Sequence, residues 1–352
     1  MACEHGTAAG VSSTVPAKSA PRRAVLLNDT MHDRHHGCTL VGRTIDNLAT
    51  ANGIELIARS PVHHDWRLDH KLLSEMQSAE LIVVNGEGTI HHDRPAGLAL
   101  LEAGAWGKKR GIPTALINMT WAANSRAAAQ HLKQFSFVAV RESASKALLA
   151  DLGVASYEAP DLALYSADPV PGPRLEVAVT DSVVPHVAAA LEQVRRRNSG
   201  RYVNILYGKS GPREWVRSCR KFGAIAGASP RQIVHAIGAG VREHFHRNAS
   251  ADHFVSDISR SRLLITGRFH AVIVALATRT PVLAVASNTH KIESTLRDAG
   301  LQSFRVTTPE KIDSALIERA SHWQPGELKA LDNFVRRGRK EIEAMFTHVA
   351  GI

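Results

Sequence analysis

The sequence predicts an α/β protein built from two doubly wound, Rossmann-like domains that face a cleft. Three observations predict it. Short apolar runs alternate with helix-length amphipathic stretches along nearly the whole chain, the pattern of a parallel sheet with helical crossovers. A Pro/Gly-rich stretch at 166–173 (SADPVPGP) divides this alternation into two series. The length of 352 residues exceeds one ordinary core and fits two domains of about 150 residues each.

The first series opens with a strand at 24–28 (AVLLN) and a helix at 39–51, where Leu40, Ile45 and Leu48 recur at near-helical spacing. Further strands are expected at 54–58, 81–84, 114–118 and 135–140, with helices centred near Leu72, Leu100, Ala128 and Leu148 between them. The second series runs from a strand at 176–180 through a helix at 182–197 to a strand at 202–207. Helices near Trp215 and Ile233 follow, then a strand at 263–266, a helix from about Arg268, a strand at 282–286 and a helix near Ile292. The expected organisation is a disordered tail over 1–21, an N-terminal domain over 22–165, a C-terminal domain over 174–325, and one long helix over 326–352.

Composition narrows the function classes. The apolar fraction is 44% and the charged fraction 22%, ordinary for a soluble globular protein. The longest apolar candidate for a membrane span, 269–286, is interrupted by Arg279 and Pro281. The first 20 residues lack the continuous apolar region of a secretory signal, and Cys3, Cys38 and Cys219 are too scattered for a disulfide framework. A cytoplasmic protein is expected. The net charge of +10 calls for an anionic partner: a phosphate-bearing small molecule, nucleic acid or an anionic membrane face. Aromatic residues make up only 5% and no nucleic-acid-binding motif is present, so nucleic acid is set aside. Peripheral contact with an anionic membrane stays open, through the basic stretch 336–340.

Ligands of doubly wound sheets bind beyond the carboxyl ends of the strands. Four such junctions are unusually polar: Asn28-Asp29-Thr30 running into His35-His36-Gly37-Cys38; Asn85-Gly86-Glu87-Gly88-Thr89-Ile90-His91; Arg141-Glu142-Ser143; and Gly267-Arg268-Phe269-His270. The second is no dinucleotide loop, since a GxGxxG pattern would need glycine where His91 stands, and Gly208-Lys209-Ser210 is no Walker A loop, since Val203 holds the place of its first glycine. It offers instead a tight turn with exposed amides and one carboxylate, Glu87. The fourth places Gly267 at the end of a buried strand, so the free amides of the next helix, with the Arg268 fork, suit a carboxylate or phosphate. His270 there can hold the anion or move a proton near neutral pH.

The histidine pairs at 35–36, 63–64 and 91–92 invite a metal, but adjacent residues on a strand point to opposite faces, and HExxH, paired cysteines and Asp-x-Asp are all absent. No metal is expected. Gly-x-Ser-x-Gly is absent too, which argues against a hydrolase elbow.

The order of these junctions resembles the polysaccharide pyruvyl transferase family. The segment 265–291 (ITGRFHAVIVALATRTPVLAVASNTHK) is similar to that family's strand, Arg-x-His, small-residue helix, Pro-led strand and following Lys. The segment 140–153 (VRESASKALLADLG) is similar to its Arg-(Asp/Glu)-x-x-Ser element, and Pro160-Asp161 to its Pro-Asp segment. The resemblance spans roughly 24–305. Two loops depart from the family pattern: the glycine turn reads Gly-Glu-Gly, and the first loop carries His-His-Gly-Cys where many members have an Asn-x-Gly-Asp type element.

The resemblance implies a GT-B-like fold, phosphoenolpyruvate as donor, a pyruvate ketal on a polysaccharide or its lipid-linked oligosaccharide precursor as product, and no cofactor. It implies Arg268, His270, Lys291 and Gly267 for the donor, on the C-terminal domain, joined by Arg141 of the N-terminal domain. Glu87 or Asp29 is the expected base on the acceptor hydroxyl, and His35, His36, Gly86, Gly88, Thr89 and His91 are expected near the acceptor. Two other readings use the same fold: a glycosyltransferase taking a nucleotide sugar, and a non-catalytic glycan- or nucleotide-binding regulator.

Overall fold

The computed structural model describes residues 20–207 and 250–352. The expected helices near Trp215 and Ile233, the Gly208-Lys209-Ser210 stretch and most of the expected N-terminal tail lie outside the described residues.

The first half is a six-stranded sheet. Its strands are β1 (Arg22–Asp29), β2 (Ile54–Pro61), β3 (Leu81–Asn85), β4 (Thr114–Met119), β5 (Phe137–Val140) and β6 (Tyr157–Glu158), in the order β2-β1-β3-β4-β5-β6. Every pairing is parallel, with Leu26 opposite Val83 and Val83 opposite Ala115 setting the central register. A parallel sheet is covered on both faces, so its inner strands are continuously apolar rather than alternating. LIVV of β3 and ALI of β4 are accordingly buried throughout. The crossovers are α1 (His36–Ala51), α2 (His70–Ser78), α3 (Pro95–Arg110), α4 (Arg126–Leu132) and α5 (Ser143–Asp151). Sequence fixes their ends. Helix α3 starts with Pro95, stops at Gly111 in the left-handed region (φ 69°), and places Lys108, Lys109 and Arg110 on its carbonyl end.

The second half is a five-stranded parallel sheet of β7 (Glu176–Ser182), β8 (Arg201–Tyr202), β9 (Ser261–Gly267), β10 (Val282–Val285) and β11 (Val306–Thr307), ordered β11-β10-β9-β7-β8. Around it lie α6 (Pro185–Arg197), α7 (Ala251–Ser259), α8 (Phe269–Ala277), α9 (Lys291–Asp298) and α10 (Ser314–Ala320). The expected strand at 202–207 is corrected. It leaves the sheet after Tyr202 and crosses to the first half, where the Ile205 carbonyl accepts the His36 amide and the Tyr207 amide donates to the Arg34 carbonyl. Its backbone is satisfied by a loop instead of a strand, while Val203 and Ile205 remain buried.

Helix α8 (FHAVIVALA) is buried on every side, as an all-apolar helix must be. It sits where the halves meet, and one core cluster runs through it, from Leu26 and Leu40 of the first half to Leu264 and Ala284 of the second. The last helix, α11 (Glu327–Gly351), begins beside the second sheet and ends beside the first. Its Ala350 carbonyl accepts the Arg22 guanidinium, its Glu341 carboxylate accepts the Tyr157 hydroxyl, and Arg339 reaches the Leu164 and Ala167 carbonyls. No helix among the described residues is long and apolar enough to cross a membrane.

Candidate active site

The carboxyl ends of β1 and β3 meet those of β7 and β9. A cavity of about 170 Å³ lies between them, walled by His35, Cys38 and Glu87 from the first half and by Arg268, His270 and Lys291 from the second. Thr30, Asp33, His63, Gly88, Thr89 and Arg141 complete the parts of the wall that bear on chemistry.

Glu87 is the fixed point. Asn28 and Asn118, at the ends of β1 and β4, adopt left-handed backbone (φ 60° and 59°), a conformation asparagine tolerates better than most residues. The Asn28 amide donates to the Asn85 carbonyl at 2.6 Å, and Asn85 in turn accepts the Glu87 amide. Gly88, also left-handed at φ 67°, then turns the chain back. The Glu87 carboxylate, 3% exposed, accepts the Thr30 hydroxyl at 2.5 Å, the Cys38 thiol at 3.1 Å and the Asn85 amide at 3.3 Å. Burial alone would raise its pKa. His270, Thr30 and Cys38 outweigh burial and hold it well below the usual carboxylate range.

His270 stands in the first turn of α8, with Nε2 3.1 Å from Oε1 of Glu87 and 3.8 Å from Oδ2 of Asp161. The first separation suits an ion pair, but Nε2 makes no well-directed hydrogen bond. The imidazole packs against the first turn of α1, where a Cβ on Gly37 would come within 2.2 Å of its Cγ. Only glycine lets that turn approach so closely, which is a physical reason for the His-Gly-Cys sequence.

Three cations surround the same cavity. Arg268 makes a two-pronged pair with Asp181 (2.7 and 2.6 Å), and Gly267 before it presses on Ser182 of β7. Arg141, almost fully buried, pairs with Asp161 at 2.7 Å and lies over the Phe269 ring. Lys291 donates to Asn288 and forms no ion pair among the described residues. Burial, with Arg141 second, lowers its pKa to about 8.

The remaining sequence candidates divide. His35 caps α1, and its ring lies 5.1 Å from that of His270, with burial and then His270 pushing its pKa well down. His91 lines a narrow recess, beside Gly86, Thr120 and Thr289, that shares Gly88, Thr89, Arg141 and Lys291 with the cavity, and burial lowers its pKa to about 4. Thr89 walls both this cavity and a second one of about 230 Å³, lined by His63, His64, Asp65 and Arg67. Asp29 and His36 are not brought to the cavity. Asp29 accepts the Met31 amide and the Arg59 guanidinium. His36 is fully buried between Phe254 and Tyr207, and burial lowers its pKa to about 4, so it stays neutral.

Sequence reasoning gave no site role to Asp33, His63 or Cys38. Asp33 lies on the cavity rim, and burial raises its pKa above the ordinary carboxylate value. Its signal was present in the first polar loop, which carries it between Asp29 and His35.

Among solved structures, the chain is similar in shape to a functionally uncharacterised protein from Klebsiella pneumoniae (10% identity, TM-score 0.45, 81% of this chain and 92% of that one). It is also similar to a UDP-N-acetylglucosamine 2-epimerase (10%, 0.45, 90% and 95%) and to the glycosyltransferase SnogD from Streptomyces nogalater (11%, 0.42, 94% and 98%). No curated protein matches the chain. The sequence profile of the family described as polysaccharide pyruvyl transferase matches residues 25–289. That span holds both strand-end clusters, Glu87 with its partners and Arg268 with His270, and the chain belongs to the polysaccharide pyruvyl transferase family.

Proposed function

We propose that the protein transfers pyruvate from phosphoenolpyruvate to two hydroxyls of a sugar in a polysaccharide or its precursor, forming a cyclic ketal. The observation that carries this reading is the set of three cations, Arg141, Arg268 and Lys291, around one cavity that also holds the Glu87–His270 pair. Phosphoenolpyruvate brings a carboxylate and a phosphate into one small molecule, and such a ligand calls for several cations. Arg141 and Arg268 each already carry a carboxylate partner, so Lys291 supplies the charge the anion meets uncompensated.

In the reaction the methylene carbon of the donor gains a proton, the two hydroxyl oxygens bond in turn to the adjacent carbon, and the bond to phosphate breaks. One hydroxyl proton is made up on the new methyl group and the other leaves with phosphate. His270 is the group placed to deliver and take back these protons. Glu87 is too strongly stabilised as an anion to serve as base, so its part is to orient His270. Asp33, which lines the same cavity, replaces Glu87 and Asp29 as the candidate base. The acceptor enters from the first half, where His63 and Thr89 wall both cavities.

Thermal melting tests the donor. Phosphoenolpyruvate at about a hundred times its Kd should stabilise the wild type by about 2.7 kcal/mol. The gain should vanish in Arg268→Ala. Stabilisation by UDP, GDP or CMP in place of phosphoenolpyruvate would replace this reading with a nucleotide-sugar transferase.

The donor affinity should also depend on pH. Lys291 is charged below its folded pKa of about 8 and loses its charge above it. Phosphoenolpyruvate binding should therefore weaken as pH rises through about 8, well below the ordinary lysine value of 10.5. Calorimetric titration between pH 7 and 9 reads this out. Lys291→Arg, whose charge does not titrate there, should flatten the profile, and a wild-type affinity constant over that range would remove Lys291 from the donor site.

A further inference from the structure

We propose that His35, Cys38 and His270 form a binding site for a borderline-soft divalent cation of the Zn²⁺ type, with Glu87 as the fourth ligand. The three side chains each offer a ligand atom, and these atoms lie within 4.8 Å of one another. Such a cluster arises once among the described residues. It spans the cleft, with His35 capping α1, Cys38 on its first turn and His270 on α8.

The donor set matches the ion. A thiolate sulfur and imidazole nitrogens suit Zn²⁺ and its neighbours and are poor ligands for Mg²⁺ or Ca²⁺. Bond lengths of about 2.3 Å to sulfur and 2.0–2.1 Å to nitrogen put ligand atoms about 3.3–3.6 Å apart around a tetrahedral ion. Oxygen Oε1 of Glu87 already lies 3.1 Å from the Cys38 sulfur and 3.1 Å from His270 Nε2. To close the cage, the His35, Cys38 and His270 atoms must draw together from within 4.8 Å of one another, and Glu87 already stands against two of them.

A second, independent observation points to a ligand there. His270 is 9% exposed, and its Nε2 is a buried polar atom without a well-directed hydrogen bond although a carboxylate oxygen stands beside it. The Glu87 oxygen and this nitrogen face each other at 3.1 Å. An ion between them satisfies both.

Local structure holds the ligands in place. The capping geometry of His35-x-x-Cys38 folds the His35 ring back over the first turn of α1, beside Cys38. The Cys38 amide reaches His35 Nδ1 at 3.4 Å, a long bond that a turn of the ring gives up at little cost. As the sulfur–metal bond forms, the thiol proton leaves to solvent and the Glu87 oxygen it held becomes free to bind the ion. A bound ion occupies the nitrogen of His270, so the loaded protein cannot use that histidine to move a proton. This site departs from the sequence expectation of no metal, which considered spacing within single segments only.

The test uses the full chain and needs no turnover. Equilibrium dialysis with Zn²⁺ should give one site lost in Cys38→Ala. The Co²⁺-loaded wild type should show a thiolate-to-cobalt charge-transfer band that is absent from Cys38→Ala and Cys38→Ser. His35→Asn keeps a helix-capping side chain, so it separates loss of a ligand from loss of the helix start. It should weaken binding at least as much as the roughly 10–100-fold cost of losing a mere supporting contact around a metal. Circular dichroism verifies that each variant is folded. Zinc binding of equal strength in wild type and folded Cys38→Ser, or a cobalt adduct without the thiolate band, would overturn the proposal.

Discussion

Replacing His270 with alanine is expected to lower the rate of pyruvyl transfer by roughly a hundred- to ten-thousand-fold, the usual cost of losing a positioned proton-transfer group. The loss should fall on kcat more than on KM, since Arg141, Arg268 and Lys291, the proposed donor cations, remain in place. Glu87→Gln should show a smaller loss of the same kind. It keeps the shape of the turn and the hydrogen bonds from Thr30 and Asn85, but it removes the charge that faces the ring. The contrast with Arg268→Ala is informative, because that substitution should act first on donor binding. Steady-state kinetics of the three variants, on protein shown to melt cooperatively, would separate the roles. A His270→Ala protein with kcat within threefold of wild type would place the proton transfer on another residue.

The second large effect is on stability. Arg305 is fully buried, with two bonds to Glu327 (2.8 and 2.6 Å) and three more to the carbonyls of Val282, Ala320 and His322. Glu327 also accepts the amides of Gln302 and Gln324. The pair ties β10, the helix α10 and the start of α11 together, and Trp323 and Phe304 cover the guanidinium. Breaking a buried ion pair leaves an uncompensated charge and costs about 3–5 kcal/mol. Arg305→Ala should lower Tm by about 6–20 °C, at roughly 2–4 °C per kcal/mol for a domain of this size. Chemical denaturation would measure it. A change under 1 kcal/mol would mean that water enters and solvates Glu327.

Much of the fold was legible because parallel strands buried on both faces leave apolar runs that a sequence shows plainly. LIVV, ALI and LLI each became a central strand. What was illegible has local reasons. Strands β6 and β11 have two residues each, too few to carry a period. The run at 202–207 has the composition of a strand but pairs with a loop. Helix α1 begins three residues before its expected start because its cap is His35, a residue outside the common Ser, Thr, Asp and Asn set.

The site was legible in its positions and not in its pairings. The strand-end rule led to Glu87, Arg268 and His270, and these do line one cavity. The partner of Arg268 is Asp181, 87 residues away, and nothing in the local sequence marks it. Direction also escaped the reading. His35 and His36 are neighbours, yet one caps the helix toward the cavity and the other turns into an aromatic pocket, since His35 stands in extended backbone before the helix and His36 is its first residue.

The long last helix has a consequence for how the chain is made. Arg22, at the start of β1, is hydrogen-bonded to a residue 328 positions later. Leu331, Val335 and Ile342 belong to the same core cluster as Leu26 and Leu40. During synthesis the first sheet is therefore complete in its strands long before the helix that covers its core leaves the ribosome. At about 5–20 residues per second the wait is on the order of ten seconds to a minute, and apolar surface stays open throughout. Nascent chains arrested before residue 327 should be bound by holding chaperones, and chains released at full length should not.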